Sequence, residues 1–369
     1  MLSHLDECLW HQTSLPFELV ATSDHRFFDR MWFAAYDPTG AAALQFTVGA
    51  YNNMNVIDGG FVVIAGDTQY NLRESRSLRP QFEMAVDAMR IDIIEPMKHV
   101  RLTVADGDHH VHGVLDWMAI MPPEIEKPHV VRVRGRLNED YQRYDQVGLV
   151  NGELRVRGER LVVRDWWACR DHSWGVRPGV GGWDPVTGPA TQPSTSGSLF
   201  GFLFFSTDTL AGHVQVAERG AERVYLTGLV RPLGDERDLH VDDATLRFRF
   251  FEGTRRMRHG SFDLQIGSDR LHIDVEALGR AIAMPGLGYS GGWNDGLALG
   301  AWRGDEYREV DVWNVAHPAD VVREDGSVFC PMHRIQPVTV RSSGVGGDGR
   351  GTGSFTIIAN GALPQYGLA

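Results

Sequence analysis

Eight consecutive residues near the middle of the chain bring together the side chains that acid–base chemistry uses. They read Arg170-Asp171-His172-Ser173-Trp174-Gly175-Val176-Arg177. Two cations, a carboxylate, an imidazole and an indole are costly to place so close together unless they satisfy one another. A histidine with its usual pKa of about 6.5 can carry a proton near neutral pH. This octapeptide is therefore the first candidate for a catalytic site.

The period of a β-strand decides which of these side chains can act together. Neighbouring strand residues point to opposite faces, so Asp171 and His172 enter one cavity only if the strand ends or bulges there. His172 and Trp174 share a face. We expect His172 to carry the proton and Trp174 to stabilise positive charge by about 1–2 kcal/mol when desolvated. Asp171 would pair with Arg170 or Arg177; alternatively, the whole octapeptide is a structural corner of a barrel.

A weaker copy of the pattern lies near the N-terminus. The stretch 23–30 and the octapeptide both read Asp-His, one residue, and then an aromatic residue, with an arginine further on. The repeat indicates two similar modules, which favours a structural role for the shared Asp-His pair. Only the later copy has Trp-Gly and a following segment, between Gly175 and Ser198, that is rich in Gly, Pro, Ser and Thr. Such a segment is typical of a binding loop, a lid or a disordered loop.

Two further segments offer proton donors, and several aromatic residues offer apolar contacts. Asp295 lies in a loop with a tyrosine and a tryptophan, and Tyr307 lies on an alternating strand; we count both as catalytic candidates beside His172 and Asp171. A carboxylate buried in an apolar barrel has a raised pKa and can act as a general acid. Exposed charged positions are the alternative for both. The candidate substrate-binding residues are Trp174, Trp183, Phe202, Phe204, Trp293 and Trp313.

Short alternating segments between glycine and aspartate turns predict antiparallel hairpins along most of the chain. We expect turns at 106–108, 267–269 and 344–353, and only two modest helical candidates, Pro16–Ala21 and Pro80–Arg90. Many antiparallel strands in about 150 residues remove their edges by closing into a barrel or sandwich. The sequence therefore predicts an all-β chain of two similar antiparallel β-barrel or sandwich modules in tandem, residues 1–165 and 166–369, with the octapeptide in the second.

Composition excludes several classes of function. The chain has 369 residues and a formal net charge of −12, which argues against nucleic acid as a partner. Three scattered cysteines, no signal-peptide pattern and no membrane-length apolar run predict a cytoplasmic protein without disulfides or an integral membrane segment. A homodimer is possible. We expect a hydrophobic small molecule as the partner.

Cofactor and metal chemistry have little support in the sequence. His109, His110 and His112 are the one histidine-rich turn, but no His-Glu-x-x-His or Glu-x-x-His motif accompanies them. The sequence also contains no Gly-x-Ser-x-Gly nucleophile elbow and no nucleotide-binding fingerprint. We therefore expect neither a metal nor a cofactor, and a metal-dependent enzyme built on the histidine turn is the rival hypothesis.

The octapeptide, halfway along an all-β chain, resembles the family of AttH-like proteins and bacterial carotenoid 1,2-hydratases. Members of that family carry an Asp-His-x-Trp-Gly type motif at the start of a second lipocalin-like barrel. The resemblance implies that the two modules are lipocalin- or calycin-like antiparallel β-barrels in tandem with an apolar ligand cavity. It also implies cofactor-free acid–base chemistry on hydrophobic polyenes. The Tyr-x-Asp that follows in the carotenoid hydratases does not occur in Phe202–Asp208, so the proton donor stays open.

The functional prediction is a cofactor-free acid–base enzyme with a barrel cavity. Its substrate would be a terpenoid, a polyene or an aromatic small molecule, and its reaction a hydration or dehydration, an isomerisation or a cyclisation. The alternative is a lipocalin-like carrier or sensor that binds the same class of molecule without converting it.

Overall fold

A computed structural model describes residues 4–7, 9, 11, 13–80, 83–133, 135–181, 197–235 and 237–369. Within these ranges the chain forms strands and five short 3-10 helices, His4–Glu7, Asn52–Met54, Met284–Leu287, Tyr289–Gly291 and Pro364–Tyr366, and no α-helix. None of the described helices has the length and apolar character needed to cross a membrane.

Twenty-five strands make up the regular structure of the described residues. In chain order they are β1 Phe27–Tyr36, β2 Ala42–Tyr51, β3 Val56–Ala65, β4 Thr68–Ser77, β5 Ala85–Val86, β6 Met89–Glu95, β7 His99–Val104, β8 Val111–Ala119, β9 Glu124–Ile125, β10 His129–Val133, β11 Arg136–Val156, β12 Glu159–Val176, β13 Ser198–Thr207, β14 Leu210–Arg219, β15 Glu222–Pro232, β16 Leu239–His240, β17 Asp243–Phe250, β18 Met257–Ile266, β19 Asp269–Ala277, β20 Ile282–Ala283, β21 Tyr307–Asn314, β22 Val321–Arg323, β23 Val328–Phe329, β24 Arg334–Gly344 and β25 Gly349–Asn360.

These strands form two antiparallel sheets. The first sheet has the order β23-β22-β21-β4-β3-β2-β1-β12-β11-β8-β7-β6-β5, with β9 and β10 added to β11. It curls so that β5 and β6 pack back on β3, and a core of alternating apolar residues fills the space between them. The second sheet, β16-β15-β14-β13-β25-β24-β19-β18-β17 with β20 beside β24, curls around a separate core.

A third apolar cluster joins the two sheets. Trp32 and Trp167 of the first sheet meet Phe202 and Phe204 of the second within it. The Trp167 indole Nε1 donates a hydrogen bond to Ser206 Oγ at 3.0 Å, which ties the layers together inside the apolar contact. Strands such as β12 are therefore buried on both faces, one face against the core of their own sheet and the other against the second sheet.

The predicted all-β architecture of two antiparallel modules is confirmed. The turns at 106–108 and 267–269 join β7 to β8 and β18 to β19, and residues 345–348 join β24 to β25. Neither helical candidate is right, because 16–21 forms turns and 80–90 contains β5 and the start of β6. Val86 and Met89 pair across the short turn between β5 and β6, and both are buried in the first core, so this part of the segment is a hairpin.

The first sheet contains strands from both sides of the predicted boundary at 165/166, and the division into two folding units stays a prediction. β12 runs through that boundary and pairs with β1 and β11, so the octapeptide belongs to the first sheet and not to the C-terminal module with which we grouped it. β21 to β23 also join the first sheet, through β4. The first sheet therefore combines strands from both halves of the sequence, and a single cut in the sequence does not separate the two sheets.

Candidate active site

A cavity of about 440 Å³ opens between the two sheets. Its volume lies in the range of about 300–1,000 Å³ that is usual for small-molecule sites. Its apolar wall is formed by Trp32, Phe200, Phe202, Phe204, Met284, Ile335 and Ile358. Its polar groups are Tyr141, Arg143, Asp171, Arg177, Tyr289 and His333. An aromatic surface with a few convergent polar groups is the usual form of a binding or catalytic site.

The ladder between β11 and β12 brings the polar groups to one face. In its register Asp145 lies opposite Asp171, and Arg143 opposite Ser173. Residues that are directly opposite in an antiparallel pair share a face. Positions 141, 143 and 145 of β11 therefore point to the same side as position 171 of β12, and this side faces the second sheet.

Asp171 is the acid that the cavity wall presents. Among the described residues no hydrogen bond or ion pair reaches its carboxyl group, whose remaining accessible surface faces the cavity. Burial raises the pKa of Asp171, and the positive charges of Arg143 and Arg177 only partly oppose this effect. A carboxyl group of raised pKa keeps its proton to a higher pH, which is the direction of shift that a proton donor needs.

His172 lies on the opposite face of β12, as strand alternation requires. Its Nε2 lies 2.6 Å from Asp29 Oδ1, its Nδ1 lies 3.3 Å from the Tyr144 hydroxyl, and its ring packs edge-on against Trp174 at 5.3 Å. His172 and Trp174 do share a face, but neither lines the 440 Å³ cavity; His172 contributes instead to a pocket of about 160 Å³ on the other side of the sheet.

Two other residues of the octapeptide have structural contacts. Arg170 is buried, donates to Gln146 Oε1 from Nε at 2.9 Å and lies 4.6 Å from the Trp117 ring. It therefore does not pair with Asp171, because the two side chains leave β12 on opposite faces. Gly175 has φ +133°, and a Cβ there would lie 2.3 Å from the Asp140 carbonyl oxygen, so this glycine permits the close approach of β11.

A buried charged cluster lies behind Asp171. Arg143 Nη2 donates to both oxygens of Glu126, at 2.9 and 2.7 Å, and the His129 Nε2 lies 2.8 Å from Glu126 Oε2. These contacts, Arg143 foremost, outweigh burial and hold the pKa of Glu126 well below its usual range. Burial and the nearby charge of Glu126 raise the pKa of Asp145 well above its usual range. A protonated Asp145 next to an ionised Glu126 follows, because two buried like charges are rarely both ionised.

The same cluster contains the one candidate metal-ligand group in the described part of the chain. One ligand atom each from Glu126, Asp145 and His213 lies within 4.8 Å of the others, and all three side chains are buried. Arg143 already supplies the positive charge that Glu126 needs, and burial lowers the pKa of His213 to about 4, so the imidazole is neutral. Without a cation, a proton on Asp145 completes the charge balance of the cluster.

Two groups on the other side of the cavity can exchange protons with a ligand. Arg30 donates from Nε to the Tyr289 hydroxyl oxygen at 3.2 Å, which leaves the O–H of Tyr289 free to donate. Burial lowers the pKa of His333 to about 4, so that its imidazole is neutral at pH 7 and can accept a proton. The rings of Tyr289 and His333 meet at 6.1 Å.

The remaining predicted residues lie in different places. Phe202 and Phe204 line the cavity as expected, whereas Trp183 lies outside the described residues. Trp293 and Trp313 border a separate depression of about 680 Å³. The Asp295 carboxylate pairs with Arg303 at 2.9 Å, and the Tyr307 hydroxyl donates to Glu309 at 2.7 Å, a hydrogen bond that raises the pKa of Tyr307 to about 12.

Three polar groups of the cavity were not among the candidates from the sequence: Tyr141, Arg143 and His333. A signal for part of this set exists in the sequence. Tyr141, Arg143 and Asp145 alternate along one strand, which places an aromatic residue, a cation and an acid on a single face. Tyr289 is the tyrosine of the loop that the sequence offered with Asp295, and of the two it is Tyr289 that lines the cavity. His333 has no such signal, because only the tertiary fold brings its loop to the cavity.

Comparisons with known proteins agree on the fold. The crystal structure of CghA with Sch210972 superposes with a TM-score of 0.50 at 9% identity, covering 91% of this chain and 89% of CghA. Kievitone hydratase from Nectria haematococca gives a TM-score of 0.42 at 11% identity, with 93% of each chain covered. No curated protein matches the sequence. Residues 2–351 match a family described as a family of unknown function (DUF8625).

Proposed function

This chain belongs to the DUF8625 family of unknown function, and we propose that it is a cofactor-free acid–base enzyme for a hydrophobic small molecule. The reaction would be a hydration or dehydration, an isomerisation or a cyclisation inside the cavity between the sheets. One observation carries the proposal. Asp171 presents a carboxyl group of raised pKa, with no hydrogen bond from the described residues, to an aromatic cavity of about 440 Å³.

Two polar groups of the cavity, Asp171 and His333, have a chemical role in this proposal. Asp171 donates its proton to the substrate, which general acids do best when their pKa lies near the working pH. In a hydration, water adds to the neighbouring carbon, and its surplus proton returns to the Asp171 carboxylate, directly or through the neutral imidazole of His333. In an isomerisation or cyclisation, a proton lost from the substrate restores Asp171. The enzyme is unchanged at the end of each of these cycles.

The apolar wall supplies orientation and excludes water. Trp32 and Phe204 pack with ring centroids 6.3 Å apart, and Phe202 and Phe204 with centroids 4.3 Å apart. The aromatic surface beside Asp171 is therefore continuous. Exclusion of water strengthens every charge interaction within the cavity. The kinship to AttH-like proteins remains part of the proposal. The fold shared with CghA, which was crystallised with Sch210972, supports a ligand-binding use of this architecture.

The test compares Asp171→Asn with the wild-type protein on a panel of apolar enones, polyenes and aromatic alcohols. Mass spectrometry detects a gain or loss of water, and chromatography detects isomers and cyclised products. We expect the variant to lose at least 100-fold in kcat, because an amide cannot donate an acidic proton. An Asp108→Asn control changes an exposed carboxylate only. Full activity in Asp171→Asn, or a ligand that binds the wild type and always returns unchanged, would overturn the proposal; the second result identifies a carrier.

A further inference from the structure

One cation of the cavity wall has no anionic partner among the residues that the structure describes. Arg143 is committed to Glu126, and Arg30 forms an ion pair with Asp58 at 2.7 Å. Arg177 also lines the cavity, yet it forms no ion pair or side-chain hydrogen bond with any residue that the structure describes. A partly buried guanidinium without an anionic partner loses hydration and gains no charge-assisted hydrogen bond in return.

Arg177 is nevertheless held in a defined position. Its guanidinium lies over the ring of Phe28, with Cζ 4.4 Å from the ring centroid, and 5.9 Å from the ring of Tyr289. Stacking on an aromatic face leaves the edge of the guanidinium, with its N–H donors, free. Arg177 follows directly after β12, so the same strand that positions Asp171 also positions this cation.

Asp171 does not neutralise Arg177. The two residues interact electrostatically, but no ion pair forms between them, and burial favours the uncharged carboxylic acid. The neutral imidazole of His333 and the hydroxyl of Tyr141, whose pKa burial raises to about 12, supply no negative charge at pH 7. Among the described residues no carboxylate pairs with Arg177, so its N–H donors are available to an anionic group of a ligand.

We propose that the ligand of this cavity is an amphipathic organic anion, with a carboxylate or other anionic oxygen at Arg177 and an apolar skeleton against Trp32, Phe202 and Phe204. The guanidinium edge binds such an oxygen group through paired N–H donors. This inference rests on the proposed function, because it takes the same cavity as the binding site.

The experiment uses two pairs of probes that differ mainly in charge, 9-anthracenecarboxylate with 9-anthracenemethanol and dodecanoate with dodecanol. Binding is measured by tryptophan fluorescence and by calorimetry at pH 7.5. We expect wild-type protein to bind at least one carboxylate more than 10-fold tighter than its alcohol. Arg177→Gln removes this preference and leaves the affinity for the alcohol unchanged within twofold. Arg177→Lys keeps part of it, and Arg258→Gln, at an exposed arginine of the second sheet, keeps all of it.

Several outcomes would overturn the inference. They are equal affinity of wild-type protein for the acid and the alcohol in both pairs, a preference that survives in Arg177→Gln, and failure of all four probes to bind. Circular dichroism and the melting temperature show whether Arg177→Gln has folded; where it has not, Arg177→Lys and the wild-type probe series decide. This test is separate from the test of Asp171→Asn. If Asp171→Asn loses turnover but the wild-type protein shows no preference for anions, the proposed enzymatic activity stands and this ligand class is rejected.

Discussion

Asp145 of β11 and Asp171 of β12 lie directly opposite each other in the antiparallel ladder, on the face that meets the second sheet. Like charges in this position repel, and burial adds to the cost of ionisation. Both carboxyl groups have a raised pKa, with burial as the largest cause. The pair therefore places two acids of raised pKa side by side, one enclosed by protein and one facing the cavity.

The first prediction concerns the enclosed member of this pair. The folded protein keeps a proton on Asp145 that the unfolded chain releases above a pKa of about 4. The stabilising effect of this proton is complete below the unfolded pKa and is lost as the pH rises towards the folded pKa. Asp145→Asn mimics the protonated acid, so we expect a free energy of unfolding that falls less between pH 5 and 8 than in the wild type.

Urea denaturation at several pH values measures this difference. Asp108→Asn, at an exposed carboxylate, should keep the wild-type pH dependence. Identical slopes for Asp145→Asn and the wild type would show that Asp145 is ionised in the folded protein.

The second prediction concerns acid. Burial lowers the pKa of His213 to about 4, against about 6.5 in an unfolded chain. The unfolded chain binds more protons between these values, so stability is complete above pH 6.5 and decreases as the pH falls towards 4. The loss attributable to His213 is on the order of 3 kcal/mol over this window. Replacing the exposed His240 with glutamine should leave the acid sensitivity unchanged, whereas His213→Gln should reduce it in thermal unfolding at pH 7 and 5.

The strands and turns were predictable because their signal is local. The aspartate and glycine residues of the 106–108 turn specify the hairpin between β7 and β8. The long strands β11 and β12 were not recognised, because burial on both faces removes the alternation on which the prediction depended. The interleaving of β21 to β23 into the first sheet depends on contacts between distant segments, and nothing in the local sequence encodes it.

The candidate site was predictable in its location and not in its orientation. The octapeptide does contribute Asp171 and Arg177 to the aromatic cavity of about 440 Å³, but sequence reasoning favoured the face of His172 and Trp174. Alternation separates the two faces of a strand without saying which face meets a ligand. That choice is made by the second sheet, whose Phe202 and Phe204 cover the Asp171 side.

The third prediction tests this orientation. His172→Ala should keep turnover within about threefold of the wild type, because His172 lies on the opposite face from the cavity. Its contact with the half-exposed Asp29 contributes about 1 kcal/mol or less to stability. Steady-state kinetics beside Asp171→Asn distinguishes the two faces. A loss in His172→Ala as large as that in Asp171→Asn would return the site to the face that the sequence favoured.

The fourth prediction concerns the glycine of the octapeptide. Gly175→Ala introduces a Cβ at φ +133° that would lie 2.3 Å from the Asp140 carbonyl oxygen. We expect a loss of about 2 kcal/mol or more, because β11 and β12 must separate. Gly158→Ala is the matched control, since Gly158 also has positive φ (+82°) but no atom within 4 Å of the point where a Cβ would lie. It should cost only about 1 kcal/mol of backbone strain; equal losses in the two variants would remove the argument for close strand approach.

The last prediction measures how strongly Arg143 and Glu126 depend on each other. Arg143→Met leaves Glu126 buried without its cation, which typically costs about 3–5 kcal/mol. Adding Glu126→Gln removes the unpaired charge, so the double variant should recover more than about 1 kcal/mol of that loss.

Chemical denaturation of the four proteins gives the coupling energy. The exposed pair of Arg101 and Asp116 provides the control cycle, in which coupling should stay below about 1 kcal/mol. If the buried pair couples no more strongly than the exposed one, Arg143 is not the counter-ion of Glu126. The charge balance that leaves Arg177 as the free cation of the cavity would then have to be redrawn, because Arg143 would also be available to a ligand.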